Sequence, residues 1–176
     1  MLRVWHWLGI AIWGAVLWGI SDISIARAAE DTIVPGIEEL VRLDRLPMLK
    51  DSLKVASVSS YDRTGGNNDG FDGSYSFVRK EEGGLVIADL QGPGVIYRIW
   101  TPTPSDDQME FYFDGESQPR IQVNFRDLFL GKHPVFEKPL VGNGVGGFYC
   151  YVPLPYEKSC KVFIRAPKTQ FYQINY

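Results

Sequence analysis

From Leu85 to Tyr176 the chain breaks into short apolar or alternating runs, each closed by glycine, proline or Asp-Gly. Leu85 to Leu90 ends at Gln91-Gly92-Pro93-Gly94, and Val95 to Trp100 follows. Met109, Phe111 and Phe113 alternate with Glu110 and Tyr112, Asp114-Gly115 turns the chain, and Ile121, Val123 and Phe125 alternate on the return. Phe148 to Val152 and Cys160 to Ile164 read as a further pair around Pro153 to Lys158, with Phe171 to Tyr176 as a last strand. Alternation of period two sends successive side chains to opposite faces of a sheet. Strands this short, at this spacing, argue against α/β and predict an all-β, antiparallel jelly-roll β-sandwich. A chain of 176 residues has room for one ordinary domain of that kind.

The first 28 residues stand outside that fold. Met1 to Arg3 give a short basic start, Val4 to Ile20 is almost wholly apolar, and Ala26-Arg27-Ala28 has the small-x-small form of a signal-peptidase site. Cleavage after Ala28 is therefore expected. The competing reading is a retained anchor, because a membrane helix needs roughly 17–25 residues. Either way the remainder is exported, to the periplasm or the outside, and a membrane is met only if the segment is kept. Residues 29–50 form a second segment. Gly36 to Lys50 places Ile37, Leu40, Val41, Leu43 and Leu46 at mixed three- and four-residue spacing, which predicts one amphipathic helix stopped near Pro47. Residues 51–176 are left for the sandwich.

Charge and histidine content narrow the chemistry. The whole chain carries a net charge of −3, and loss of Arg3, Asp22 and Arg27 with the leader makes it −4. Such a surface does not seek phosphates, so nucleic acid is not an expected partner. His133 becomes the one histidine of the mature chain, with no nucleophile motif beside it, and reads as a surface-turn residue. No cofactor and no metal site are expected.

Ser57 to Gly73 is the unusual stretch, with four glycines and five Asn or Asp residues. That composition is a loop. As an EF-hand it fails at both ends, where Gly65 and Ser76 stand in place of ligands, and no Walker spacing follows Gly65-Gly66. Short hydrogen-bonding side chains on a permissive backbone suit sugar hydroxyls, and they equally suit a self-bonded surface turn. Trp100 and Arg98 share one strand face, so the indole is either a stacking platform for a sugar or core packing. Glu110, Asp114 and Glu116 flank a turn and read as solvated charges. Cys150 and Cys160 sit on strands joined by a short proline-containing turn, which permits a cross-strand disulfide in an exported chain.

Four runs together resemble glycoside hydrolase family 172. They are Ser59 to Phe71, Leu90 to Pro102, Phe111 to Glu116 and Tyr149 to Tyr156, in family order. The resemblance implies a jelly-roll enzyme acting with retention on D-fructofuranosides or D-arabinofuranosides, often as a symmetric homo-oligomer. It also implies that the two catalytic glutamates fall beyond Tyr176, so no catalytic residue is assigned. The last strand, read as a sheet edge without a cap, likewise suggests a chain cut within its domain. Asp62, Arg63, Asn67, Asn68, Asp69 and Trp100 are the candidate substrate-binding residues. A non-catalytic β-sandwich module for carbohydrate binding or assembly is the alternative.

Overall fold

The computed structural model describes residues 36–45, 47–48, 53–68 and 70–176. The leader and Asp69 lie outside the described residues. In chain order the strands are β1 (Ser57–Ser59), β2 (Arg79–Glu81), β3 (Gly84–Gln91), β4 (Gly94–Ile96), β5 (Arg98–Thr101), β6 (Gln108–Phe113) and β7 (Ile121–Asn124). Helix α1 (Phe125–Leu130) follows, then β8 (Val141–Gly144), β9 (Gly147–Cys150), β10 (Leu154–Tyr156), β11 (Ser159–Ile164) and β12 (Gln173–Asn175). They form two five-stranded antiparallel sheets, ordered β1-β12-β5-β9-β8 and β2-β3-β11-β6-β7, with β4 and β10 as a two-stranded ribbon. This is the antiparallel sandwich that the alternating runs predict.

Strand register explains the core. In the first sheet Val58, Ile174, Ile99, Cys150 and Val141 fall in one row, each opposite the next. Ile174, Ile99, Cys150 and Val141 join Leu85, Ile87, Met109, Phe111, Val162 and Ile164 of the second sheet in a single buried cluster, with the half-buried Val58 packed against it. One face of each sheet is therefore sealed against the other. At roughly 25 cal/mol per Å² of apolar surface removed from water, that burial is what holds the layers together.

Helix α1 closes one end of this core. The alternation from Ile121 predicts a strand through Phe125, but Asn124 ends it. Its side chain accepts from the Arg126 and Asp127 backbone N–H groups at 3.0 and 3.2 Å, capping the helix instead. Gly131 ends the helix with φ at 72°, a left-handed conformation that glycine adopts freely. One helical turn and a half then delivers Phe125, Leu128 and Phe129 to the interior, at the i, i+3, i+4 spacing of one face.

Three expectations are corrected. The helix expected over 36–50 is instead two 3₁₀ turns, Ile37–Leu40 and Leu43–Arg45. Val41 and Leu43 remain 75% and 70% exposed, so the apolar face meets no core that would stabilise a helix. Next, β12 is no edge strand: it lies between β1 and β5, bonded on both sides. The uncapped sheet edge expected at the last strand is not found among the described residues.

The third correction concerns the cysteines. Cys150 lies in β9 opposite Ile99 and Val141, whereas Cys160 lies in β11 opposite Leu90 and Phe113. The chain leaves one sheet after β9, pairs with β4 through β10, and enters the other sheet at β11, so the expected hairpin does not form. Both are buried free thiols, each pushed up to about 12 by burial. Thiolates are the reactive form, so neither should react with a thiol reagent in the native state at pH 8. After denaturation without reductant, two free thiols per chain are expected; none would restore the disulfide.

Candidate functional site

The loop that follows β1 is built around Asp62. Its Oδ1 accepts from the Thr64 backbone N–H at 2.9 Å and from the Thr64 hydroxyl at 2.6 Å, while Oδ2 accepts from the Asn68 N–H at 3.1 Å. The Thr64 hydroxyl, then the two backbone donors, hold the Asp62 carboxyl below the usual aspartate range. This is an Asx-type turn in which the side chain stands in for a backbone acceptor. Gly66 is part of the same device, since a Cβ there would fall 2.6 Å from Asp62 Oδ2. Asp62 is buried and turned into its own loop, while Asn67 is exposed and Asn68 half-buried.

Arg63 ties the loop to its frame. Its Nη1 donates to the Tyr75 carbonyl at 2.8 Å and Nη2 to the Ser59 carbonyl at 3.1 Å, with the guanidinium 4.9 Å from the Tyr61 ring centre. These two main-chain oxygens occupy the guanidinium of a residue expected to bind substrate. Tyr61, Arg63, Ser74, Tyr75, Phe77 and Asp89 line an open cleft of about 500 Å³. The carboxylate on its wall, Asp89, is already ion-paired with Arg79. Trp100 is not in this cleft. It lies on the outer face of the first sheet, in β5, two strands in from β1.

The turn acids are not free charges. Glu110 is fully buried: the Arg165 guanidinium donates to it at 2.6 and 3.0 Å, the Tyr112 hydroxyl at 2.6 Å and the Gln122 amide at 3.2 Å. Burial pushes the Glu110 carboxyl up, but Arg165, Tyr112 and Gln122 together outweigh that and leave it below the ordinary glutamate value. Asp114 adopts φ 55° and its Oδ1 accepts from the Glu157, Lys158 and Ser159 N–H groups at 2.9, 2.7 and 3.3 Å. Led by the Lys158 N–H, these donors lower its pKa and clamp the β6–β7 turn to the β10–β11 turn. Glu116 pairs with Arg120 at the surface. Nothing local in the sequence marks Glu110, because its main partner, Arg165, lies 55 residues away.

A family model described as the GH172 first beta-sandwich domain matches residues 51–176. The chain belongs to glycoside hydrolase family 172. No curated protein matches it. A retaining glycoside hydrolase needs one carboxylate nucleophile and one carboxylic acid whose pKa is raised. Among the described residues the displaced carboxyls, those of Asp44, Asp62, Asp72, Glu81, Glu110 and Asp114, all move down. These six are acceptors held as anions, unfit to donate a proton near neutrality.

If Asp62 organises the loop, Asp62→Ala and Gly66→Ala both loosen it while the sheets persist. Gly66→Ala forces apart atoms 2.6 Å away, a crowding cost of about 1–3 kcal/mol. The amide resonances of Thr64 and Asn68 should shift toward random-coil positions with an unchanged far-UV circular dichroism spectrum. In the parent, the loop stays ordered above the ordinary aspartate value of 3.8 and loosens as pH falls through the lower folded one. Unmoved Thr64 and Asn68 signals in Asp62→Ala would refute this role.

Proposed function

We propose that this chain serves a furanoside-cleaving glycoside hydrolase, acting with retention on D-fructofuranosides or D-arabinofuranosides, and that residues 51–176 supply sugar contacts, not the reacting carboxylates. The match to the first sandwich domain of family 172 carries the reading. The carboxyls of Asp62, Glu110 and Asp114, each held as an anion by surrounding donors, support a binding role for the domain in this reading. In this reading Asp62 works by holding the loop, Arg63 fixes its position beside the cleft, and Asn67, Asn68 and Asp69 offer amide and carboxylate groups to sugar hydroxyls. Trp100, on β5 two strands in from β1, adds an aromatic surface. Export and assembly into a homo-oligomer belong to the same proposal, as does contact with a membrane only where the leader is retained.

The test is turnover of p-nitrophenyl furanosides by the 176-residue chain and by a family 172 protein that also carries its catalytic glutamates. Hydrolysis with retained anomeric configuration is expected from the second and none from the first. Turnover by the 176-residue chain that Asp62→Asn abolishes would move Asp62 into the chemistry and overturn the division of labour.

A further inference from the structure

Outward-facing positions of the first sheet form a second, equally regular row. Ser59 lies opposite Gln173, Gln173 opposite Trp100, Trp100 opposite Tyr149, and Tyr149 opposite Gly142. The row crosses all five strands, a span of about 19 Å at a strand spacing of roughly 4.8 Å. Beside it, Asn175 lies opposite Arg98.

Two glycines set the height of the aromatic groups. A Cβ at Gly147 would come within 2.3, 2.7 and 2.9 Å of three Trp100 indole atoms, and one at Gly142 within 2.6 Å of the Tyr149 hydroxyl. Each ring therefore lies down over a residue with no side chain of its own. Tyr151, itself exposed, stands against Tyr149 with ring centres 5.3 Å apart and planes 33° from parallel. The polar neighbours are ordered too. Arg98 Nη1 donates to Gln173 Oε1 at 3.0 Å and to Asn175 Oδ1 at 3.1 Å, and its guanidinium lies 5.7 Å from the Trp100 ring centre. With their oxygens turned to Arg98, the two carboxamides keep N–H donors that have no partner among the described residues.

We propose that this face is an oligosaccharide-binding platform that extends the loop site across the sheet. Aromatic rings take the C–H faces of sugars, and planar amides and a guanidinium take their hydroxyls. The described row positions Ser59, Gln173, Trp100, Tyr149 and Gly142, with Arg98 and Asn175 beside them, bring no side-chain carboxylate, as suits a neutral sugar chain more than a cationic partner. Ser59 ends the row at the residue whose carbonyl holds Arg63, so one chain reaches from the loop to Gly142 without leaving the surface. The proposal rests on the carbohydrate reading above for its occupant.

Full-length protein run in native gels cast with linear arabinan, with inulin or with a β-glucan tests it. Retardation by arabinan or inulin is expected. Trp100→Ala and Tyr149→Ala should each weaken it about tenfold, the effect of losing one aromatic contact. Gln173→Ala, at an exposed position, removes one acceptor of Arg98 and should weaken it less. A tetrasaccharide should compete better than its monosaccharide. Retardation by β-glucan alone, lost in Trp100→Ala, would uphold the platform while contradicting the furanoside reading. Folded Trp100→Ala and Tyr149→Ala proteins retarded like the parent would overturn the platform. So would a parent that no polysaccharide retards, or variants that change only self-association.

Discussion

Everything placed near the loop depends on β12 running through the middle of the first sheet. Ile174 stands between Val58 and Ile99 in the inner row, so the last strand carries the core contact that joins β1 to the rest of the sandwich. On the outer face the same strand supplies Gln173 and Asn175, the two acceptors that orient Arg98. Just before it, the Tyr172 carbonyl accepts from the Ser60 N–H, and the Tyr172 hydroxyl donates to the Ile87 carbonyl of the opposite sheet. Remove β12 and β1 has no partner, the loop has no base, and the outer row has a gap at its centre.

The electrostatics follow one pattern. Carboxyls are kept ionised by donors placed around them: side chains at Glu110, the Thr64 hydroxyl with backbone N–H groups at Asp62, and backbone N–H groups at Asp114. Leaving such a carboxylate without its donors inside a protein is expensive, so these groups lock turns and strands in place. A glycosidase acid demands the opposite environment, an apolar one that holds the proton on. The carboxylates of this sandwich are thus placed to lock its turns and strands, not to hold a proton.

Strands β3 to β7, β9, β11 and β12, the β6–β7 hairpin and the family were legible in the sequence because their signals are local: alternation, an Asp-Gly turn, and runs of specific residues; β1 was read as loop, β10 as turn, and β2 and β8 carry no such signal. What was not legible is where the chain changes sheets. Cys150 and Cys160 sit ten residues apart with turn residues between them, yet β10 diverts to β4 and the two thiols face the core from opposite layers. Alternation likewise ran on through Phe125, and only the Asn124 cap with Gly131 turned that stretch into a helix. The spacing at 36–50 was helical, but with Val41 and Leu43 left in solvent no tertiary surface supported the helix. Of the candidate site, the sequence located the loop and Trp100, while their different positions relative to β1 depend on long-range register.

Amide hydrogen exchange read residue by residue across 172–176 tests the central position of β12 most directly. A strand bonded on both sides protects consecutive amides, whereas an edge strand protects every second one. Protection at Gln173, Ile174, Asn175 and Tyr176 alike, comparable with that of Ile99 in β5, is the result this account predicts. Protection that alternates along these residues, or that is uniformly low beside a protected Ile99, would contradict it.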